Sequence, residues 1–110
     1  MGASLLEYHV LLALASGALH GYAIAERVAA ESGGALKPRA GSLYRVIARL
    51  VSEGLVAESE PEVEVSHPGL ARRYYSLTGA GRRSLAEEAR RLKQVAAVAE
   101  KRLGLARGRS

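Results

Sequence analysis

Residues 38 to 55 read Pro38-Arg39-Ala40-Gly41-Ser42-Leu43-Tyr44-Arg45-Val46-Ile47-Ala48-Arg49-Leu50-Val51-Ser52-Glu53-Gly54-Leu55. Their spacing predicts one helix with two incompatible faces. With Leu43 at zero and a step of about 100° per residue, Leu43, Ile47, Leu50 and Val51 share one arc, whereas Ser42, Arg45, Arg49 and Ser52 share the other. The first arc requires a core. The second carries short hydroxyls and guanidinium forks, groups that match phosphate oxygens and the acceptor edge of guanine. Gly54 supplies the left-handed position that ends a helix without a Cβ penalty, and Leu55 begins the next apolar stretch. The plainer alternative for this stretch is an amphipathic surface helix whose arginines are merely solvated.

The chain around it has 110 residues, 48% of them hydrophobic and 25% charged, which favours one modest core and excludes disorder for its body. Net charge is +5, and the basic excess is mostly arginine, a balance that suits a polyanionic partner. The charge is uneven. Glu58, Glu60, Glu62 and Glu64 make one acidic arm, while the residues from Arg72 onward are strongly basic. Cysteine is absent, so disulfides, thiolate metal sites and cysteine nucleophiles are excluded. Val10 to Ala18 has the look of a signal-peptide core, but its flank carries Glu7 and His9 and no Lys or Arg, so it reads as mature protein. No apolar stretch reaches the roughly 18 residues needed to span a bilayer, and the expected location is the cytoplasm, with no membrane partner. Asp, Asn, Phe and Trp are missing while Arg and Ala abound, which hints at a GC-rich or heat-adapted source.

On the N-terminal side, Ser4 and Glu7 have the spacing of a capping box, and a helix is expected from there to about Ala15, apolar nearly all the way round. His9 within it reads as a core or boundary side chain, because no second metal-type residue lies one turn away. Gly17 closes that helix. Leu19-His20-Gly21-Tyr22 leads into a second helix through about Glu31, with Tyr22, Ala25, Val28 and Ala29 on one side, ended by Ser32-Gly33-Gly34. Leu36 to Pro38 is long enough only for a bridging strand. Two short helices followed by the 38–55 helix give a helix-turn-helix order, with the latter in the recognition position.

On the C-terminal side, residues 55–60 and 71–77 read as two strands joined by a long tip containing Pro61, Pro68 and Gly69, a wing. Since like charges repel, the basic base of the wing, Arg72 and Arg73, is expected to approach a phosphate backbone while the acidic arm faces away. Thr78 is the expected N-cap of one long helix, in which Leu85, Ala89, Leu92, Ala96, Ala99, Leu103 and Ala106 recur four and three apart in an a/d pattern. Such a seam calls for a partner helix, supplemented by Val95 and Val98, and dimerisation is expected through Leu85, Ala89, Leu92, Ala96, Ala99 and Leu103. The alternative is that the helix folds back over its own domain. The expected fold is mainly α with a small β-hairpin: a winged helix-turn-helix over 1–78, a dimerisation helix over 79–106 and a frayed tail over 107–110.

His20-Gly21-Tyr22, Gly41-Ser42-Leu43-Tyr44, Leu50 with Gly54-Leu55, and Arg73-Tyr74-Tyr75-Ser76-Leu77-Thr78 with Gly81, in this order and spacing, resemble the PadR family of bacterial and archaeal transcriptional regulators. The resemblance covers roughly residues 5 to 85. It implies a winged helix-turn-helix protein that dimerises through its C-terminal helix and represses genes, with release of DNA by a small-molecule effector in many members. It places Tyr22 and Tyr44 near the DNA backbone and brings Ser42 and Arg45 into the groove. Two departures stand out: Ala18 where a proline is common, and Arg39 where a small capping residue is common. The second leaves the start of the recognition helix open. A single C-terminal helix makes this the short type, without a dedicated effector domain, and the lack of Trp argues against the planar-drug sandwich of some relatives while leaving room for a smaller apolar ligand.

The expectation is therefore a homodimeric, sequence-specific regulator of double-stranded DNA, a repressor, with Arg45 and Arg49 in the groove and Lys37, Arg39, Tyr22, Arg72 and Arg73 on phosphates. The competing reading keeps the fold as a protein interaction module without specific DNA binding. No cofactor or metal is expected, and no enzymatic activity: His9, His20 and His67 lie on different elements and no Asp exists to orient a histidine. There is neither a Gly-rich phosphate loop nor a nucleophile elbow, and the adjacent Glu87 and Glu88 point to different sides of their helix.

Overall fold

The computed structural model describes residues 4–59 and 73–105. Helix α1 (Leu5–Ala13) starts at Ser4 with the expected capping box: the Glu7 amide donates to Ser4 Oγ at 3.2 Å and the Ser4 amide donates to Glu7 Oε1 at 2.9 Å. These bonds satisfy orphan amides of the first turn from both directions. A 3-10 turn (Leu14–Ser16) carries the chain on to Gly17. Val10, Leu11, Ala13 and Leu14 are buried, so this segment is the hub against which the other helices pack.

A two-residue strand β1 (Leu19–His20) then leads directly into α2 (Gly21–Glu31). The bridging strand expected at Leu36 to Pro38 does not form; the third strand of the sheet is β1, which pairs with β3 through Leu19 opposite Tyr75 and His20 opposite Tyr74. A run this short has no periodicity of its own, and its state is set by the strand beside it. The side of α2 read as shared by Tyr22, Ala25, Val28 and Ala29 turns inward at Val28 and Ala25 but not at Tyr22. Gly21, Ile24 and Val28 face inward, while Tyr22 is 69% exposed. The reason is a close approach at Gly21, where a Cβ would overlap the Tyr44 hydroxyl; the backbone turns its bare edge to α3 and Tyr22 is left outside.

Helix α3 (Ala40–Ser52) is narrower than the quoted stretch but has the expected phase. Leu43, Ile47 and Leu50 are buried together with Val46, whereas Val51 is only half-buried, so the inward arc is centred slightly off its sequence estimate. Arg39 occupies the N-cap without a side-chain cap bond, which settles the helix start. Gly54, at φ 78°, closes the helix, and the Leu55 amide returns to the Leu50 carbonyl at 2.9 Å.

Strands β2 (Val56–Ser59) and β3 (Tyr74–Leu77) complete a three-stranded antiparallel sheet in the order β1-β3-β2, with Val56 opposite Leu77 and Ser59 opposite Tyr74. Both are shorter than expected. The anticipated tip with Pro61, Pro68 and Gly69, the acidic residues Glu60, Glu62 and Glu64, His67 and Arg72 lie outside the described residues, as do Ala106 and the tail.

Thr78 both caps α4 (Gly79–Arg102) and ties it to the end of α3: its Oγ1 accepts from the Gly81 amide at 3.0 Å and donates to the Gly54 carbonyl at 2.6 Å. Gly81 is buried, and a Cβ there would overlap the Leu55 carbonyl oxygen. The helix ends at Arg102 rather than 106, because Gly104 takes φ 72° and the Leu105 amide donates back to the Glu100 carbonyl at 2.7 Å. Its first half packs on the domain through Leu85, which joins the core, and Arg82 reaches the Ala15 carbonyl at 3.3 Å. Ala89 and Leu92 are half-buried; Val95, Ala96, Val98, Ala99 and Leu103 are exposed. The six seam residues thus divide into a part that packs toward its own domain and a part that is exposed among the described residues.

Candidate nucleic-acid interface

The outer arc of α3 is open as its spacing predicts, with Arg45, Arg49 and Ser52 exposed and Ser42 half-buried. Each polar side chain on it is differently held. Arg45 donates from Nη2 to Ser42 Oγ at 3.3 Å, a neutral partner one turn back. Ser52 Oγ donates to the Arg49 carbonyl at 2.8 Å, so its hydroxyl belongs to the helix backbone. Arg49 pairs through Nε with Glu7 Oε2 at 3.2 Å, which joins the outer arc of α3 to the first turn of α1. Sequence reasoning missed this pair, and no periodic signal relates two residues so far apart in the chain.

Beside the arc stand two tyrosines. Tyr44 is 48% exposed, its hydroxyl lodged over Gly21. Tyr22 extends from the start of α2 near-parallel to the His20 ring, with centroids 6.5 Å apart, and His20 meets the edge of Tyr74 at 5.6 Å. His20 itself is the N-cap of α2, accepting at Nδ1 from the Ala23 amide at 3.2 Å. The His-Gly-Tyr motif therefore does three separate jobs: a cap that also braces the wing strand, a bare α-carbon that admits Tyr44, and an exposed phenol. Lys37 and Arg39 are exposed in the connector that precedes α3.

Between α3 and the sheet lies an open groove of about 470 Å³ lined by Tyr44, Ile47, Ala48, Val51, Glu58, Arg73 and Tyr75. At its rim Arg73 Nη1 pairs with Glu58 across the two strands, so the basic base of the wing is met by the first residue of the acidic arm and not held apart from it. Burial, then the Glu58 charge, raises the Tyr75 hydroxyl above its usual pKa, which keeps it neutral at the groove wall.

His9 is half-buried, at the boundary as expected, and its Nδ1 has no hydrogen-bond partner among the described residues. Among the described residues no group of three or more His, Cys, Asp or Glu is placed to hold a metal ion. No helix among them is long and apolar enough to cross a membrane.

The model of the transcriptional regulator PadR-like family matches residues 10–87. An uncharacterised 37.1 kDa protein of transposon TN4556 from Streptomyces fradiae is 44% identical over 80 residues, a match that spans 73% of this chain and only 21% of that protein. Among solved structures, a PadR family transcription regulator from Clostridium difficile superposes with a TM-score of 0.76 at 20% identity, over 91% of this chain and 99% of its own. Bacillus subtilis PadR in complex with operator DNA superposes with a TM-score of 0.68 at 24% identity, over 78% of this chain and 47% of that one. At these identities the two likenesses show a shared fold, the winged helix-turn-helix.

Proposed function

The chain belongs to the PadR-like family of transcriptional regulators, and from that premise we propose that it acts as a homodimeric repressor that binds double-stranded DNA sequence-specifically in the cytoplasm. The observation that carries this reading is α3 itself: one arc is sealed into the core and the other presents Arg45, Arg49 and Ser42 outward, flanked by Tyr22 and Tyr44. The Bacillus subtilis relative of the same fold was solved on operator DNA, which supports the same partner here.

In this reading residues 1–78 form the DNA-binding unit and 79–106 the dimerisation helix, with 107–110 a tail. Arg45 and Arg49 read base edges from the major groove, with Ser42 beside them, while Lys37, Arg39, Tyr22, Tyr44, Arg72 and Arg73 meet phosphates that set register and orientation. A phosphate at Arg73 must compete with Glu58. Two copies joined through the exposed part of the α4 seam, Ala96, Ala99 and Leu103 with Val95 and Val98, and extended by Ala89 and Leu92, would present two α3 helices to successive major grooves about 34 Å apart. Leu85 contributes by anchoring that helix to its own domain. Repression follows from occupancy of a promoter; an effector would act by changing the angle between the two copies.

The test is enrichment of a duplex from a randomised library, followed by titration of that duplex and a scrambled one of equal length at two salt concentrations, with light scattering to count subunits. A dimer with a salt-sensitive preference for the enriched duplex supports the reading. Failure to enrich any duplex overturns it and favours a protein interaction module.

A further inference from the structure

The two arginines on the outer arc of α3 are not equivalent, and the difference lies in a residue of α1. Among the described residues Arg45 is bonded to a hydroxyl and to no carboxylate, which leaves its full charge to a phosphate. Arg49 is tied at Nε to a carboxylate that is itself held: Glu7 is 13% exposed at its side chain, and both its oxygens are engaged, Oε1 by the Ser4 amide and Oε2 by Arg49. Stability alone does not call for a charge at position 7. Gln completes a capping box as Glu does, and an exposed ion pair contributes little. What the carboxylate adds is a local countercharge and a fixed direction for the 58% exposed Arg49 side chain, whose two Nη groups remain for another acceptor.

We propose that Glu7 is a positioning residue for DNA recognition, holding Arg49 so that it responds to the geometry of a base edge and not to the charge of a phosphate. Attraction to phosphate is sequence-independent and scales with net positive charge at the surface. Recognition of a base edge depends on donor direction. Neutralising Arg49 while fixing its plane lowers the first and preserves the second, so the pair gives up affinity for random DNA in exchange for discrimination. This inference rests on the reading of α3 as the DNA-contacting helix.

The experiment uses the full chain, the duplex enriched by the wild type, and its scrambled counterpart. Glu7→Gln keeps the cap and melts close to wild type. It is expected to bind the scrambled duplex roughly two- to fivefold more tightly, to steepen the log-log salt slope by about 0.9, and to lower the preference for the enriched duplex. In an Arg49→Gln background, the same change at position 7 shifts both duplexes alike and leaves the preference where Arg49→Gln put it. A Glu7→Gln protein with unaltered preference and slope overturns the proposal, as does an equal loss of preference in the Arg49→Gln background, which would place the action of Glu7 elsewhere. If the wild type enriches no duplex at all, the DNA reading fails first, and the proposal with it.

Discussion

Helices α3 and α4 both carry apolar residues three and four apart, yet they meet different fates. Along α3 the inward residues Leu43, Val46, Ile47 and Leu50 join one core in a helix that packs against α1, α2 and strand β2. Along α4 the pattern packs at Leu85, is half-buried at Ala89 and Leu92, and beyond them is open among the described residues: Leu103 is 71% exposed, and Val95 and Val98 are likewise open. The same periodicity therefore means core in one helix and unfilled surface in the other. An apolar repeat states that burial is favourable, not where the second surface comes from.

The sharpest way to break this contrast is at α3. Leu50→Ala, which removes a side chain at 1% exposure, is expected to destabilise the fold by about 2–5 kcal/mol in urea denaturation. A loss near zero would contradict the burial of the inward arc in the core. At the junction of the two helices, Gly81→Ala forces a Cβ against the Leu55 carbonyl and should destabilise by about 1–3 kcal/mol, read in the same experiment. A neutral result would mean that α4 can move off the sheet without loss. On the open half of α4, Val98→Glu should leave the far-ultraviolet circular dichroism intact while weakening self-association at least about tenfold by sedimentation, since a carboxylate in an apolar contact is strongly disfavoured. Loss of helicity without any change in association would instead make this half a part of the monomer's own stability.

The smallest expected effect is a titration. A hydrogen bond from Arg91 holds the Glu88 carboxyl below its usual 4.5. A depressed carboxylate contributes stability above its unfolded value and loses it as pH falls through the lower folded one. Arg91→Ala should accordingly bring the Glu88 titration, followed by carboxyl carbon NMR, back toward 4.5, with a small drop in thermal midpoint at neutral pH that vanishes as pH falls below the folded value. An unmoved titration would show that the pair does not persist in water.

Much of this architecture is legible in short range. The capping box at Ser4 and Glu7, the glycine stop after α3 and the threonine cap of α4 each act within one helical turn, so a local pattern suffices to find them. The phase of α3 is equally local, and its outer arc was recognisable as the open face of the candidate site. What escaped was long-range. Tyr22 shares the spacing of the inward Val28, but Gly21 takes the inward place at the start of α2 and lodges the Tyr44 hydroxyl, so Tyr22 is left outside. Strand β1 exists because β3 offers it a ladder. Arg73 is basic in sequence yet is met by Glu58 across the hairpin.

By itself, then, the sequence determined the helices, the caps at Ser4 and Thr78 and the stop at Gly54, the inward and outward arcs of α3, and the order that identifies a winged helix-turn-helix, since each depends on backbone hydrogen bonds and side chains a few residues apart. Only the tertiary structure decided that Gly21 and not Tyr22 meets α3, which part of the α4 repeat is left open, and that Glu7 reaches Arg49. Those outcomes depend on which surfaces happen to meet when distant segments pack, and a carboxylate at the start of α1 has no sequence neighbour that could announce its partner on α3.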